Sequence, residues 1–252
     1  LVLCMEIRLC KYNDVPHLMC FIGEHWLSKH VFSKNRSLFD WQYSGTQGRD
    51  YDFVAAFQGD KVLGCLGFIL TSRFDPALQK NDTMWLTTWK VREKGPKGLG
   101  IQLHAFVCKN VSYNAIGTVG NNLSVAEIYR ALGYLTGTMS QNFLLHPSRD
   151  DFKLAIVPSG TPRIGDRMDD SDPPALRKLD VEGLLSLDHK LVRILPKNTI
   201  PRKSTNYYIN RFLRHPFYDY DVFAIERKGF TRGLLVTRLC EANGSRALRV
   251  VD

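Results

Sequence analysis

The chain has 252 residues, 44% apolar and 11% aromatic, and its 34 Lys and Arg against 25 Asp and Glu leave a formal charge of +9. That composition excludes general disorder and supplies core material for one large domain or two ordinary ones. No apolar run reaches the ~20 residues of a membrane helix, so no membrane partner is expected.

The charge favours an anionic partner, a condition that nucleic acid, acidic lipid and a polyphosphorylated cofactor all meet. The opening "LVLC" lacks the basic region and cleavage site of a signal peptide, and Met5 reads as a natural start. The six cysteines (Cys4, Cys10, Cys20, Cys65, Cys108, Cys240) form no CxxC pair and no Cys/His cluster at metal-ligand spacing, so no metal is expected. They read as reduced thiols of a cytoplasmic protein. Cys10, Cys20, Cys65 and Cys108 lie in apolar-patterned segments and are expected to be buried.

In chain order, residues 5–12 alternate like a strand, and Asn13 and Asp14 then offer a helix cap before "VPHLMCFIGEHW". Val15, Leu18, Met19, Ile22 and Trp26 fall on one face of that helix. A less regular segment runs through "SLFDWQY". "YDFVAAFQ" and "KVLGCLGFILT", joined by Gly59 and Asp60, read as a hairpin, and "TMWLTTWKV" reads as a third strand. After the glycine-rich "EKGPKGLGIQL", residues Leu99, Leu103, Phe106, Val107 and Val111 predict an amphipathic helix from Gly98 to Val111. "NAIGTVG" reads as a short strand. "NNLSVAEIYRALGY" reads as a helix capped by Asn121, Asn122 or Ser124 and closed by Gly133. "LTGTMSQNFLLHP" is expected to supply the last strands. The order βα(α)βββαβαββ over 5–147 predicts an α/β class domain, an α+β arrangement on a mixed sheet.

From 148 to 175 the chain turns rich in Pro, Gly, Asp and Arg and reads as a linker. Over 176–252, "LDVEGLLSLDHKLVRI" and "STNYYINRFLRHP" read as helix-like or mixed, and "DVFAIERKG", "RGLLVTRLCEANG" and "RALRVVD" as strands. The two parts share a repeat. "YDFVAAFQGDKVLGCLG" from Tyr51 aligns without a gap to "YDVFAIERKGFTRGLLV" from Tyr220, setting Asp52 on Asp221, Ala55 on Ala224, Gly64 on Gly233 and Leu66 on Leu235. A hairpin with its turn glycine is the plain alternative. If the repeat is a duplication, "RALRVVD" answers to "MWLTTWKV", and a second glycine loop would follow Asp252.

A strand, closely spaced glycines and then a helix aim backbone N–H groups and a positive helix end at an anion. Two familiar phosphate loops do not fit. A GxxxxGK[ST] loop from Gly95 fails because Ile101 and Gln102 follow Gly100, and GxGxxG from Gly98 fails at Leu103. An ordinary tight turn over 95–100 is the alternative to an anion site.

This segment resembles the Gcn5-related N-acetyltransferase (GNAT) superfamily, whose Q/R-x-x-G-x-G/A loop follows the fourth strand. Gly98, Leu99 and Gly100 match G-x-G, whereas the family's Arg or Gln falls on Gly95, with Lys94 or Lys97 as substitute charge. "NNLSVAEIYRALGY" resembles the second signature, N-x-x-A-x-x-x-Y-x-x-x-G-F/Y, through Asn122, Tyr129, Gly133 and Tyr134, with the alanine one position late at Ala126.

The resemblance implies a GNAT fold over 5–147, followed by a second, incomplete GNAT-like unit over 176–252 that lacks a cofactor loop. It implies acetyl-CoA as cofactor, bound by Trp89, Lys90, Val91, Lys94, Gly95, Lys97, Gly98, Leu99, Gly100, Ile101 and Asn122. The amides near Trp89, Lys90 and Val91 would polarise the thioester carbonyl, and Tyr129 would protonate the departing thiolate. The general base is left open among Glu24, His25, His30, Asp82 and His104. The expected partner is a small primary amine, with an amino sugar as candidate. A homodimer is a further expectation and nucleic acid is not expected. The alternatives are a Fem-like aminoacyl or peptidyl transferase using charged tRNA, and a non-catalytic tandem-GNAT binding protein.

Overall fold

A computed structural model of the chain describes residues 4–45, 48–161, 163, 173–187 and 199–252. By contact the chain divides into one unit of Leu1–Val119 with Asn198–Tyr207 and another of Gly120–Lys197 with Tyr208–Asp252. The first division falls inside the stretch 5–147, and a short segment from the far side of the linker joins the first unit.

The first unit is built on a five-stranded sheet in the order β1 (Glu6–Leu9), β2 (Phe53–Gln58), β3 (Lys61–Leu70), β4 (Thr83–Val91), β5 (Ala115–Gly117). The first three junctions are antiparallel and β4 pairs with β5 in parallel, so the sheet is mixed. β1 is shorter than the strand expected over 5–12. The Asp14 carboxylate accepts the Arg8 guanidinium at 2.6 and 2.9 Å and the Lys11 N–H at 2.6 Å, which folds Tyr12–Asp14 into a 3-10 turn. Asp14 therefore closes that turn and does not cap the next helix with its side chain.

That helix, α1 (Val15–His25), buries Val15, Leu18, Phe21 and Ile22. Its inner face is turned toward Phe21 relative to the expected stripe: Met19 is half-buried, Trp26 is 44% exposed, and Cys20, expected inside, is exposed. α2 (Val31–Lys34) and α3 (Arg36–Tyr43) follow. Asn35 Oδ1 accepts the Leu38 N–H at 2.8 Å to start α3. The "FDWQY" segment then delivers Phe39 and Tyr43, both fully buried, onto Phe53 with ring centroids 5.4 and 4.8 Å away. Burying each such ring contributes ~1.5–3 kcal/mol.

Between β3 and β4, Asp82 is 1% exposed and acts as a staple. Its carboxylate accepts the Thr71 hydroxyl at 2.8 Å, the Ser72 N–H at 2.9 Å and the Ser72 hydroxyl. The return segment over 199–207 fastens to the same connection. Ser204 Oγ donates to Asp75 Oδ2 at 2.5 Å, and Tyr207 meets Phe74 edge-on at 5.6 Å. α4 (Leu99–Asn110) buries Leu99, Leu103, His104 and Val107.

In the second unit, Asn122 caps α5 (Leu123–Ala131) through Val125 N–H at 2.9 Å, and Gly133 ends it with a φ of 85°. No strand forms over 135–144. Leu145 makes one isolated bridge to Arg163, and Leu135, Met139 and Leu144 lie exposed, so the alternating pattern there finds no partner strand. A strand unsuspected in the sequence, β6 (Ala175–Leu179), is mostly exposed and so carries no burial alternation. α6 (Val181–Leu185) follows, and the expected helical continuation over 188–194 lies outside the described residues. α7 (Thr205–Tyr208), which begins in the first unit, runs into one π turn, Ile209–Leu213. An antiparallel sheet in the order β6, β7 (Asp221–Arg227), β8 (Phe230–Ala242), β9 (Ser245–Val250) completes the unit.

The spacing that separates Tyr51 from Tyr220 carries the first sheet's register onto the second. Phe53↔Gly67 recurs as Val222↔Val236, Ala56↔Gly64 as Ile225↔Gly233, and Phe57↔Val62 as Glu226↔Thr231. The register shift between Ala56 and Phe57 recurs between Ile225 and Glu226. Arg8↔Ala55 recurs as Arg177↔Ala224, and the Asn35 cap on Leu38 recurs as the Ser204 cap on Tyr207. Among the described residues no helix is long and apolar enough to cross a membrane.

Candidate functional site

β3 accompanies β4 as far as Val91, but β5 pairs only with Thr83, Met84 and Trp85. Over 86–91, no strand pairs with the β5 side of β4 among the described residues.

Within that stretch the ladder to β3 skips. Cys65↔Lys90 is followed by Gly67↔Thr87, so Thr88 and Trp89 together oppose Leu66, a β-bulge. Thr88 has a φ of 40°, a left-handed backbone that a β-branched residue seldom adopts. The Tyr43 hydroxyl reaches it from α3, sharing hydrogen bonds with Thr88 Oγ1 at 2.6 Å and Thr87 Oγ1 at 3.0 Å. Burial pushes the Tyr43 phenol up to about 12. The Cys65 thiol, also pushed up to about 12 by burial, points at the Thr88 carbonyl oxygen at 3.7 Å.

The glycine loop follows. Gly95 N–H closes a turn on the Arg92 carbonyl at 3.0 Å, and Gly98 opens α4 with a φ of 76°. The two glycines of G-x-G serve different ends. A Cβ at Gly98 would meet nothing within 4 Å, so that position requires glycine for its left-handed backbone. A Cβ at Gly100 would lie 3.3 Å from Trp89 Nε1, so its bareness makes room for the indole. Helix geometry leaves the amides of Gly100 and Ile101 without intrahelical acceptors, and Lys94, Lys97 and Gly98 are exposed around them.

Trp89, Lys90, Val91, Lys94, Gly95, Lys97, Gly98, Leu99, Gly100 and Ile101 thus form one continuous strand–loop–helix in the first unit. Leu99 is the exception in kind: it is 1% exposed and serves the core. Arg92, passed over in the sequence, adds a half-buried cation to the loop, and its N–H ties back to the Leu63 carbonyl at 3.0 Å. Tyr43 and Thr88 were equally invisible, because nothing in a sequence marks a hydroxyl that meets a strand forty-odd residues away.

Asn122 and Tyr129 belong to the second unit. Asn122 Oδ1 is engaged in capping α5, and Tyr129 is 5% exposed with its ring edge-on to Tyr134 at 5.5 Å. Of the five candidate bases, Asp82 is committed to its staple. Glu24 is exposed beside Cys20 and His25. His30 caps α2 by accepting the Phe32 N–H at 3.2 Å, and burial lowers its pKa. His104 is 5% exposed and stacks on Trp89 at 6.0 Å. No group of three or more metal-ligating side chains occurs among the described residues.

No protein-family model matches the chain, and no curated protein matches it significantly. Solved structures do resemble it. A Pyrococcus horikoshii chain provisionally assigned as an acetyltransferase superposes with a TM-score of 0.52 at 8% identity, over 94% of this chain and 72% of that one. A Trypanosoma brucei acetyltransferase matches 56% of this chain and all of its own at 11% identity, with a TM-score of 0.42. Glucosamine-6-phosphate N-acetyltransferase from Arabidopsis thaliana matches 56% of this chain and 97% of its own at 13% identity, with a TM-score of 0.39. The likeness is one of fold: this chain has a mixed-sheet α/β architecture of the acetyltransferase kind.

Proposed function

We propose that residues 5–147 form an acyl-CoA-dependent N-acetyltransferase that transfers an acetyl group to the primary amine of a small molecule. The observation that carries this reading is the way β4 outruns β5. The strand runs on past its neighbour to Val91, and a loop over 92–97 leads to the left-handed Gly98 that starts α4, which sets an anion cradle beside the end of the strand.

The cradle suits a pyrophosphate. Gly98 is exposed with open space around it, the first-turn amides of α4 face outward along the helix axis, and Lys94 and Lys97 supply the charge. Acetyl-CoA supplies an activated thioester when bound, so the chain needs no covalent nucleophile. The residues over 97–101 would hold the phosphates, and an amide of the bulged stretch would stabilise charge on the carbonyl oxygen. The proposed proton donor to the departing thiolate is Tyr129, which rests on its motif alone. His104, against Trp89, is the candidate best supported for relaying the amine's proton.

We infer further that residues 176–252 are an incomplete copy of the first part of 5–147. The shared register, bulge and helix cap support duplication, and no glycine loop opens a helix among the described residues of 175–252. An amino sugar is the proposed class of amine. Calorimetry with CoA and acetyl-CoA, then thiol release across a panel of amino sugars and alkyl amines, tests the assignment. Absence of CoA binding at millimolar ligand would end it. A steeply salt-dependent affinity for charged tRNA would favour the aminoacyl-transfer alternative instead.

A further inference from the structure

A β-branched residue at φ 40° persists only where its surroundings over-determine it, and such strain is kept where it aims something. At Thr88 the surroundings are visible. The side chain is held by the Tyr43 hydroxyl at 2.6 Å and the carbonyl is faced by the Cys65 thiol at 3.7 Å. The neighbouring Thr87 hydroxyl shares the same Tyr43 oxygen at 3.0 Å.

Tyr43 is itself enclosed. It is fully buried, with Phe32, Phe39 and Phe53 around its ring at centroid distances of 5.3, 5.1 and 4.8 Å. The residue after Thr88 carries the geometry onward. The Trp89 indole stacks on His104 and fills the space beside Gly100, in the first turn of the helix that opens the anion cradle.

We propose that Tyr43 is a positioning residue, whose buried hydroxyl holds the Thr88 bulge and so aims the Thr88 amide at the carbonyl of the acyl group to be transferred. The inference rests on the acetyltransferase reading of this site. Tyr43 touches neither acyl group nor amine. A regular ladder through Leu66 would instead turn Thr88 back into sheet pairing, where its amide is spent on the neighbouring strand.

The test uses the full chain and carbonyl-labelled acetyl-CoA as probe. A hydrogen bond to the thioester carbonyl lowers its infrared stretching frequency on binding. The wild-type protein is expected to show this lowering. Tyr43→Phe, which removes one oxygen, is expected to lose it while the calorimetric affinity for acetyl-CoA stays within about twofold, because the pyrophosphate cradle is untouched. With an amine found by thiol release, kcat is expected to fall on the order of tenfold to a hundredfold with KM for acetyl-CoA little changed.

Thr88→Val, which keeps the shape and loses the hydroxyl, should reproduce the loss, and Thr88→Ser should restore the shifted frequency. These two decide the matter should Tyr43→Phe not fold. Wild-type protein that does not bind acetyl-CoA overturns the acetyltransferase reading, and this inference with it. Wild-type protein that binds and shows the shift, with Tyr43→Phe and Thr88→Val showing it undiminished, overturns this inference alone.

Discussion

Gly67→Ala gives a sharp stability test of the packing behind the bulge. A Cβ at this position would lie 2.7 Å from Phe53 Cε2 and 2.8 Å from Tyr43 Cε1, where ordinary contact begins near 3.4 Å. Each ring would have to retreat by more than half an ångström. Both are fully buried, Phe53 within a strand and Tyr43 tied by its hydroxyl to Thr87 and Thr88, so neither has room. The cost should sit near the top of the overpacking range, about 2–3 kcal/mol. Tryptophan fluorescence in urea reads it, because Trp26, Trp41, Trp85 and Trp89 all lie in the first unit. With a slope of about 2–3 kcal/mol per molar, the midpoint should fall by roughly 1 M at unchanged slope. Gly64→Ala meets only the side-chain ends of Val91, Leu103 and Leu99 at 3.2–3.3 Å and should cost under about 1 kcal/mol. Gly233→Ala, its register counterpart in the second unit, has Ile225 Cδ1 at 3.7 Å and should be near neutral. A Gly67→Ala midpoint no lower than that of Gly233→Ala would refute the packing argument.

Gly98→Ala places a Cβ on a φ of 76°, which should cost ~1 kcal/mol and weaken CoA binding in calorimetry, whereas Gly98→Asn should retain most of the affinity. Ser204→Ala removes a hydroxyl donor to the buried Asp75 carboxylate and should cost ~1.5–3 kcal/mol, read as a lower urea midpoint of the tryptophan signal; no change would mean that the 199–207 segment does not secure the first unit. Burial holds Cys65 and Tyr43 neutral up to about 12, against 9.0 and 10.0 in the unfolded chain, so their contribution is full below pH 9 and is lost as pH rises from 9 through 12. Each group loses about 1.4 kcal/mol for every pH unit between its unfolded and folded values, so the midpoint should drop steeply across that window, and a flat profile would show that the two groups are hydrated. His215 is lowered to about 4 by burial and by Arg211 and Arg238, and its Nδ1 accepts the amides of Phe217 and Tyr218 at 3.1 Å. It should stay neutral at pH 5.5 in an NMR titration, and its stabilising contribution should disappear as pH falls from 6.5 through 4.

Much of the first sheet was legible without coordinates. Two apolar runs on either side of Gly59 and Asp60 mark "YDFVAAFQ" and "KVLGCLGFILT" as a hairpin, and β2 and β3 form there. Gly98 and Gly133 both mark left-handed backbone next to a helix, because local sterics restrict that conformation largely to glycine. The same locality misled at 135–144, where alternation without a partner strand leaves apolar side chains exposed. It also hid β6, an exposed strand defined wholly by its pairing with β7.

The sequence by itself determined the mixed α/β class, the strand–glycine–helix order of the candidate site and the repeat between Tyr51 and Tyr220, since each depends on periodicity or on neighbouring residues. Only the tertiary structure decided that β5 leaves β4 after Trp85, that Asp82 ties the β3–β4 connection through Thr71 and Ser72, and that Gly100 makes room for an indole. It also brought Tyr43 to a strained Thr88, a meeting that depends on how α3 packs across the sheet. Such facts arise from contacts between residues far apart in the chain, and no local pattern of residue types encodes them.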